Sequence, residues 1–267
     1  MSRVKLSAVS LWASALVAGL VGCSSTPTDP TAEWSPNKIY AEAKDEASTG
    51  AYEKAIQLYE KLEGRAAGTP LAQQAQIDKA YAHYKAGEPA LATAALDRFM
   101  KLHPASPAID YALYLKGIVN FNDDLGLFSG VTRQDLSERD QKAAKESFEA
   151  FKELVSRFPD SRYAPDSAAR MTYIVNSLAQ YEVHVARYYY QRGAYLAAIN
   201  RAQTAIADYA QVPAAEEALF IMVKSYDALG MTGLRDDTLR VLEKSFPKTT
   251  YLTQGFKSKA DPWWKIW

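Results

Sequence analysis

The chain has 267 residues, 48% of them hydrophobic, with 31 Lys+Arg against 31 Asp+Glu and a single cysteine. That length can bury a substantial core or form a repeat array that grows by addition. The even charge balance offers no basic face of the kind nucleic acid demands, and one cysteine excludes an internal disulfide framework.

The chain begins with Arg3 and Lys5 ahead of an apolar run from Leu6 to Val21, the n-region and h-region of an export signal. The run is about 16 residues long and interrupted by Ser7, Ser10 and Ser14, short of the ~20 that span a bilayer core. It ends in Leu20-Val21-Gly22-Cys23, which resembles the lipobox of bacterial lipoproteins. In that motif the signal is cut before the cysteine, whose sulfur carries diacylglycerol and whose new amine is acylated, commonly with palmitate. The plainer alternative is an ordinary secretory signal or uncleaved anchor with a chance cysteine. A lone thiol in an exported protein is a liability unless it is consumed, which favours modification of Cys23. Ser24 follows it, not the aspartate of an inner-membrane retention signal, so the expected location is the outer membrane. Without residues 1–22 the chain has 29 basic and 31 acidic residues, a net of −2.

From Ser24 to Trp34 the composition shifts to Ser, Thr, Pro, Asp and Glu, so residues 23–34 are expected to be a lipidated, unstructured tether. Eleven extended residues reach at most about 35–40 Å, so the folded body stays near the membrane surface. Ser35-Pro36 reads as an N-cap and first helical position.

From residue 35 to about 250 the pattern is helix, tight turn, helix, repeated. The first unit has Tyr40 to Ser48, Gly50-Ala51-Tyr52, then Ala55, Tyr59 and Leu62. The second has Ile77 to Tyr84, Gly87, then Ala92, Leu96 and Phe99, closed by Pro104. The third has Tyr111, Tyr114 and Gly117 in one helix and Phe148, Phe151 and Leu154 in the next, closed by Pro159. The fourth has Tyr189, Gly193-Ala194-Tyr195, then Ala198, Ala202 and Ala205. The fifth has Leu219, Tyr226, Gly230, then Leu239 and Leu242, closed by Pro247. Gly50 to Gly87 and Gly193 to Gly230 are each 37 residues. Glycine after the first helix permits the left-handed turn, and the small residue five positions on sits where two helices cross closely. The pattern resembles the tetratricopeptide repeat, so the expected fold is all-α, a right-handed superhelix of about five helix pairs with a concave groove for a peptide or partner. A non-repeating helical bundle is the alternative.

Two stretches depart from the repeat. Residues 122–140 interrupt the third unit with Asp, Gly and Ser plus Leu125, Leu127 and Phe128, and read as a segment packed in or beside the groove, or as a solvent loop. Residues 251–267 form an aromatic tail, with three of the five tryptophans in the last five positions. It reads as a cap on the last helix, or as a docking segment for a partner or membrane interface.

Catalytic and metal signatures are missing from the sequence. His83, His103 and His184 lack ligand spacing, and there is no Gly-x-Ser-x-Gly, His-Glu-x-x-His, P-loop or dinucleotide fingerprint. The expectation is a non-enzyme with no cofactor and no metal.

Specific strings then tie the chain to a family: Ile39-Tyr40-Ala41-Glu42-Ala43, Ala80-Tyr81-Ala82-His83-Tyr84-Lys85, Pro107 to Tyr114, and above all Val185 to Tyr195 running on to Ala198-Ile199-Asn200-Arg201. With the lipobox and the interrupted third repeat, bearing Ser137-Glu138-Arg139-Asp140, these resemble the BamD (ComL) family, lipoprotein subunits of the outer-membrane β-barrel assembly machinery. The resemblance implies a periplasm-facing scaffold with two tasks. N-terminal repeats would receive the C-terminal strand of unfolded outer-membrane β-barrel proteins, with Tyr40, Tyr81, Tyr84, Tyr111 and Tyr114 as groove candidates. C-terminal repeats would dock a BamA-type barrel subunit, with Arg187, Arg192 and Arg201 as candidates, beside other assembly lipoproteins. The competing reading is a periplasmic repeat lipoprotein that organises cell-wall enzymes.

Overall fold

A computed structural model describes residues 29–121, 141–209 and 212–256. Cys23, the interruption at 122–140 and the tryptophans of the tail lie outside these. Eleven helices and no strand occur among the described residues. They are α1 (Pro36–Ser48), α2 (Tyr52–Arg65), α3 (Pro70–Lys85), α4 (Pro89–Leu102), α5 (Ile109–Asn120), α6 (Gln141–Arg157), α7 (Ala164–Gln191), α8 (Tyr195–Asp208), α9 (Ala214–Ala228), α10 (Thr232–Ser245) and α11 (Tyr251–Gln254).

Local chemistry sets the pairs. Ser35 caps α1 by accepting from the Lys38 N–H at 3.3 Å with Pro36 at the first position, and Thr69 with Pro70 opens α3 in the same way at 3.2 Å. The repeat glycines Gly50, Gly87, Gly193 and Gly230 all have φ between 70° and 86°. Beside each, the next N–H reaches back five residues: Ala51 to Glu46 O and Glu88 to His83 O at 2.9 Å, Ala194 to Tyr189 O at 3.0 Å, Met231 to Tyr226 O at 2.9 Å. This 6→1 bond closes the first helix of four of the five pairs and sends the chain back antiparallel.

The crossing residues are small because the helices meet there. Ala55, Ala92 and Ala198 are fully buried, as are Leu96 and Ala202 one turn on, and Tyr59 nearly so. Successive helices pack in order, and first helices of successive units also touch, α1 on α3 and α3 on α5. Five helix pairs are thereby stacked with α11 at the end. α7 is twice the usual length, 28 residues or roughly 42 Å at the α-helical rise. Its first half packs Ile174 and Leu178 on Phe151, and its second half packs Val183 and Ala186 on Ala198 and Ile199.

The expected tether ends sooner than position 34. Residues 29–34 form a turn seated on α2. Thr31 is 3% exposed, and Asp29 accepts from Lys61 and Arg65, each at 2.7 Å. The Lys61 hydrogen bond, with others from Thr31, holds the Asp29 carboxyl well below the usual carboxylate range. No described helix is long and apolar enough to cross a membrane.

Candidate functional site: an aromatic band along the first helices

The stacking of α1, α3, α5 and α7 aligns their same-facing side chains into one band. On α1, Tyr40 is half-buried, its ring 6.2 Å from Tyr59, and its hydroxyl donates to Asp78 of α3 at 2.8 Å. Asp78 also accepts from Gln74 at 2.9 Å. One turn along α3 stands Tyr81, 42% exposed, with Tyr84 6.4 Å beyond it. On α5, Tyr111 lies 5.5 Å from Tyr163, and Tyr114 stacks on Tyr163 at 4.7 Å. The Tyr114 hydroxyl donates to Asp166 of α7 at 2.8 Å. Further along, Arg170 lies over Phe121 at 4.7 Å and Phe121 meets Tyr173, 44% exposed, at 5.8 Å.

Two tyrosine–aspartate bridges thus join first helices of successive units. Burial raises the hydroxyl pKa of Tyr40, reinforced by Asp78, and raises that of Tyr114, reinforced by Asp166. Burial also raises Tyr111, with Tyr163 and Asp78 adding to it. Asp166 is held below its ordinary value even though burial would raise it, because hydrogen bonds from Arg170 and Tyr114 outweigh that. Tyr40 and Tyr114 are therefore neutral donors held in place by their aspartates, and the rings of the band form a surface with polar tips. Arg162 lies over Tyr163 at 4.7 Å, an exposed cation on an aromatic rim.

All five tyrosines expected in a groove belong to this band or its immediate flank. The sequence reading missed Tyr163 and Tyr173, both bridging aspartates, and the two arginines, Arg162 and Arg170. Asp78 three residues before Tyr81 could have been noticed, since that spacing shares a helix face.

The arginine candidates have different surroundings. Arg187 is only 19% exposed and forms an ion pair with Glu217, which also accepts from the Tyr251 hydroxyl at 3.0 Å. Phe256 lies under its guanidinium at 5.8 Å. Arg187, one of the three docking candidates, thereby fastens α11 to α7 and α9. Arg201 meets the buried Glu182 at 3.0 Å while keeping 46% of its side chain exposed, and Arg192 stands over Tyr188 at 5.3 Å on the surface. Among the described residues no cluster of three or more His, Cys, Asp or Glu could hold a metal. His83 pairs with Glu88 at 2.7 Å and His103 meets Gln76 at 3.1 Å, each on separate elements.

Repeated helix pairs, left-handed glycine turns and a continuous side-chain band along the first helices define a helical-repeat scaffold of the tetratricopeptide type. A family model described as YfiO, outer membrane lipoprotein, matches residues 32–253. The chain belongs to that outer membrane lipoprotein family. It is 49% identical over 237 residues to the outer membrane protein assembly factor BamD of Neisseria meningitidis serogroup B, covering 89% of each chain. It is 34% identical over 224 residues to the BamD of Vibrio cholerae serotype O1, covering 84% of this chain and 92% of that one. To the BamD of Haemophilus influenzae it is 31% identical over 235 residues, covering 88% and 89%.

Proposed function

We propose that this chain is the lipid-anchored scaffold of outer-membrane β-barrel assembly, its body in the periplasm and its anchor on Cys23. The observation that carries the reading is the near-full-length likeness to relatives named as assembly factors, 49% over 89% of both chains in one case. In this reading the band from Tyr40 to Tyr173 receives an extended segment of an unfolded barrel protein. Strand segments of such proteins alternate apolar and polar residues, so an aromatic surface with hydroxyl tips and an exposed guanidinium suits them. The C-terminal units dock the barrel-forming subunit, with Arg192 and Arg201 as the exposed cations. The work asked of the protein is binding and orientation, to which no bond-making step belongs.

The test is titration of a labelled barrel-protein C-terminal peptide, read by fluorescence anisotropy. Tyr81→Ala and Tyr111→Ala are expected to weaken binding about tenfold each, as loss of ~1.4 kcal/mol of aromatic contact requires. Tyr188→Ala, at an exposed tyrosine outside the band, is expected to bind as the unmodified chain does. Equal affinity in all three would remove the band as the receiving surface.

A further inference from the structure

The fifth repeat ends differently from the others. Where the earlier turns place a buried alanine five residues past the glycine, this one places Arg235, and Leu242 is the one fully buried residue of α10. Two of its other apolar side chains point outward: Leu234 and Val241 are 51% and 50% exposed, and with Thr238 they lie on one face at helical spacing. Between α8, α9 and α10 this face becomes an apolar groove of about 480 Å³, formed chiefly by Ile206, Leu219, Met222 and Val241 with Asp237 and Thr238 at the rim. A repeat array leaves its last apolar face open unless something caps it.

We propose that the chain's own C-terminal segment, residues 257–267, occupies this groove and caps the array. Three observations point to it. First, the described chain ends on the apolar cluster that the groove shares: Gly255, with φ 72°, turns the backbone, and Phe256 packs on Phe220 at 5.1 Å. Phe256 flanks the same cluster of Leu219, Phe220, Leu242 and Tyr251 as Ile206, and Leu219 and Ile206 are groove residues, so one apolar cluster links the exit point to the groove. Second, length permits it. Eleven residues reach up to about 36 Å extended, several times the ~10 Å width of the helix between. Third, composition matches. The segment carries Trp263, Trp264, Ile266 and Trp267 for an apolar groove, and Lys257, Lys259 and Lys265 for a rim holding Asp237, with Asp236 beside it. The groove's size is within the range that encloses a few aromatic side chains. A partner that uses this face must first displace the segment.

The test uses the full membrane-borne protein carrying Thr238→Cys paired in turn with Trp263→Cys, Trp264→Cys or Trp267→Cys. A chain with Cys23 as its one cysteine sets the background. On mild oxidation at least one pair is expected to lose maleimide labelling at both positions with the monomer mass unchanged. Adding Val241→Asp, at a half-exposed site that tolerates it, is expected to restore the labelling. Three outcomes overturn the proposal: labelling of every pair equal to an Arg98→Cys/Trp264→Cys control, cross-links joining two copies, or protection of the tail thiol alone with Thr238→Cys reactive, which places the tail in the membrane. A tail deletion after Ala260 gives a second reading, since loss of the cap is expected to increase binding of an apolar dye; unchanged dye binding counts against it.

Discussion

Gly117 sits inside α5, and its importance comes from what it faces. A Cβ built there would lie 2.3 Å from Phe151 Cε1 and 2.6 Å from Cδ1, where carbon contacts ordinarily settle at roughly 3.5–4.0 Å. Phe151 has no free direction: it is fully buried among Ile174 and Leu178, with Tyr114 at 6.1 Å and Phe121 at 6.2 Å. Ser147 ties the two helices at the same point by donating to Gly117 O at 2.8 Å. Gly117→Ala gains about 1 kcal/mol of helix propensity, while overpacking a rigid core costs about 1–3 kcal/mol and an overlap above 1 Å lies near the top of that range. The net is a loss of about 1–2 kcal/mol, or a Tm lower by about 2–8 °C for a chain this size. Because the displaced ring packs against Tyr114 of the band, peptide binding is expected to weaken as well. Adding Phe151→Leu makes room and is expected to recover most of the Tm. Far-UV circular dichroism melts check this, and a Tm for Gly117→Ala equal to or above that of the parent refutes the close-crossing account.

Further outcomes follow from the same contacts. Arg187→Leu leaves Glu217 buried with one partner fewer, and is expected to cost about 3 kcal/mol in urea denaturation, whereas Arg187→Leu with Glu217→Gln recovers part of it; no change in midpoint would deny the fastening role. Arg192→Glu is expected to slow capture of the barrel-forming subunit and alter its salt dependence while leaving the Tm unchanged, and identical association rates at low salt would take it off the docking face. The raised pKa values of Tyr40, Tyr59 and Tyr114 favour the neutral hydroxyl in the folded state. Their contribution is fully present below the unfolded tyrosine pKa of about 10 and is lost as pH rises through the higher folded values. Stability is therefore expected to fall steeply above about pH 10, and less steeply in Tyr40→Phe. Cys23→Ser is expected to release the protein from the outer-membrane fraction or leave it unprocessed; a cleaved mutant still retained there would contradict the anchor.

What the sequence made legible is what local chemistry decides. Gly50, Gly87, Gly193 and Gly230 announced four turns because a left-handed residue after a helix has few substitutes, and the alanines five past the first three announced their crossings. The length of α7 was also open to reading, since no Gly or Pro stands between Pro165 and Gly193, yet Tyr189 alone marked that helix at first. Contacts between distant residues were hidden. Asp78 and Asp166 look like solvated helix carboxylates until the stack brings them to tyrosines 38 and 52 positions away. Asp29 reads as tether until Lys61 and Arg65 reach it from α2. Arg187 reads as a surface cation because Glu217, 30 residues on, is what buries it. The tyrosines proposed for the groove were picked as residues suited to a peptide, but the aspartates that hold Tyr40 and Tyr114 are partners that only the fold assembles.

The central claim is that this scaffold serves barrel assembly, and co-purification tests it most directly. A full chain bearing an affinity tag, extracted from outer membrane in mild detergent, is expected to bring down a β-barrel protein with repeated periplasmic domains, and to lose it on Arg192→Glu with Arg201→Ala. Recovery of cell-wall synthases in its place, or of no barrel protein at all, would contradict the account.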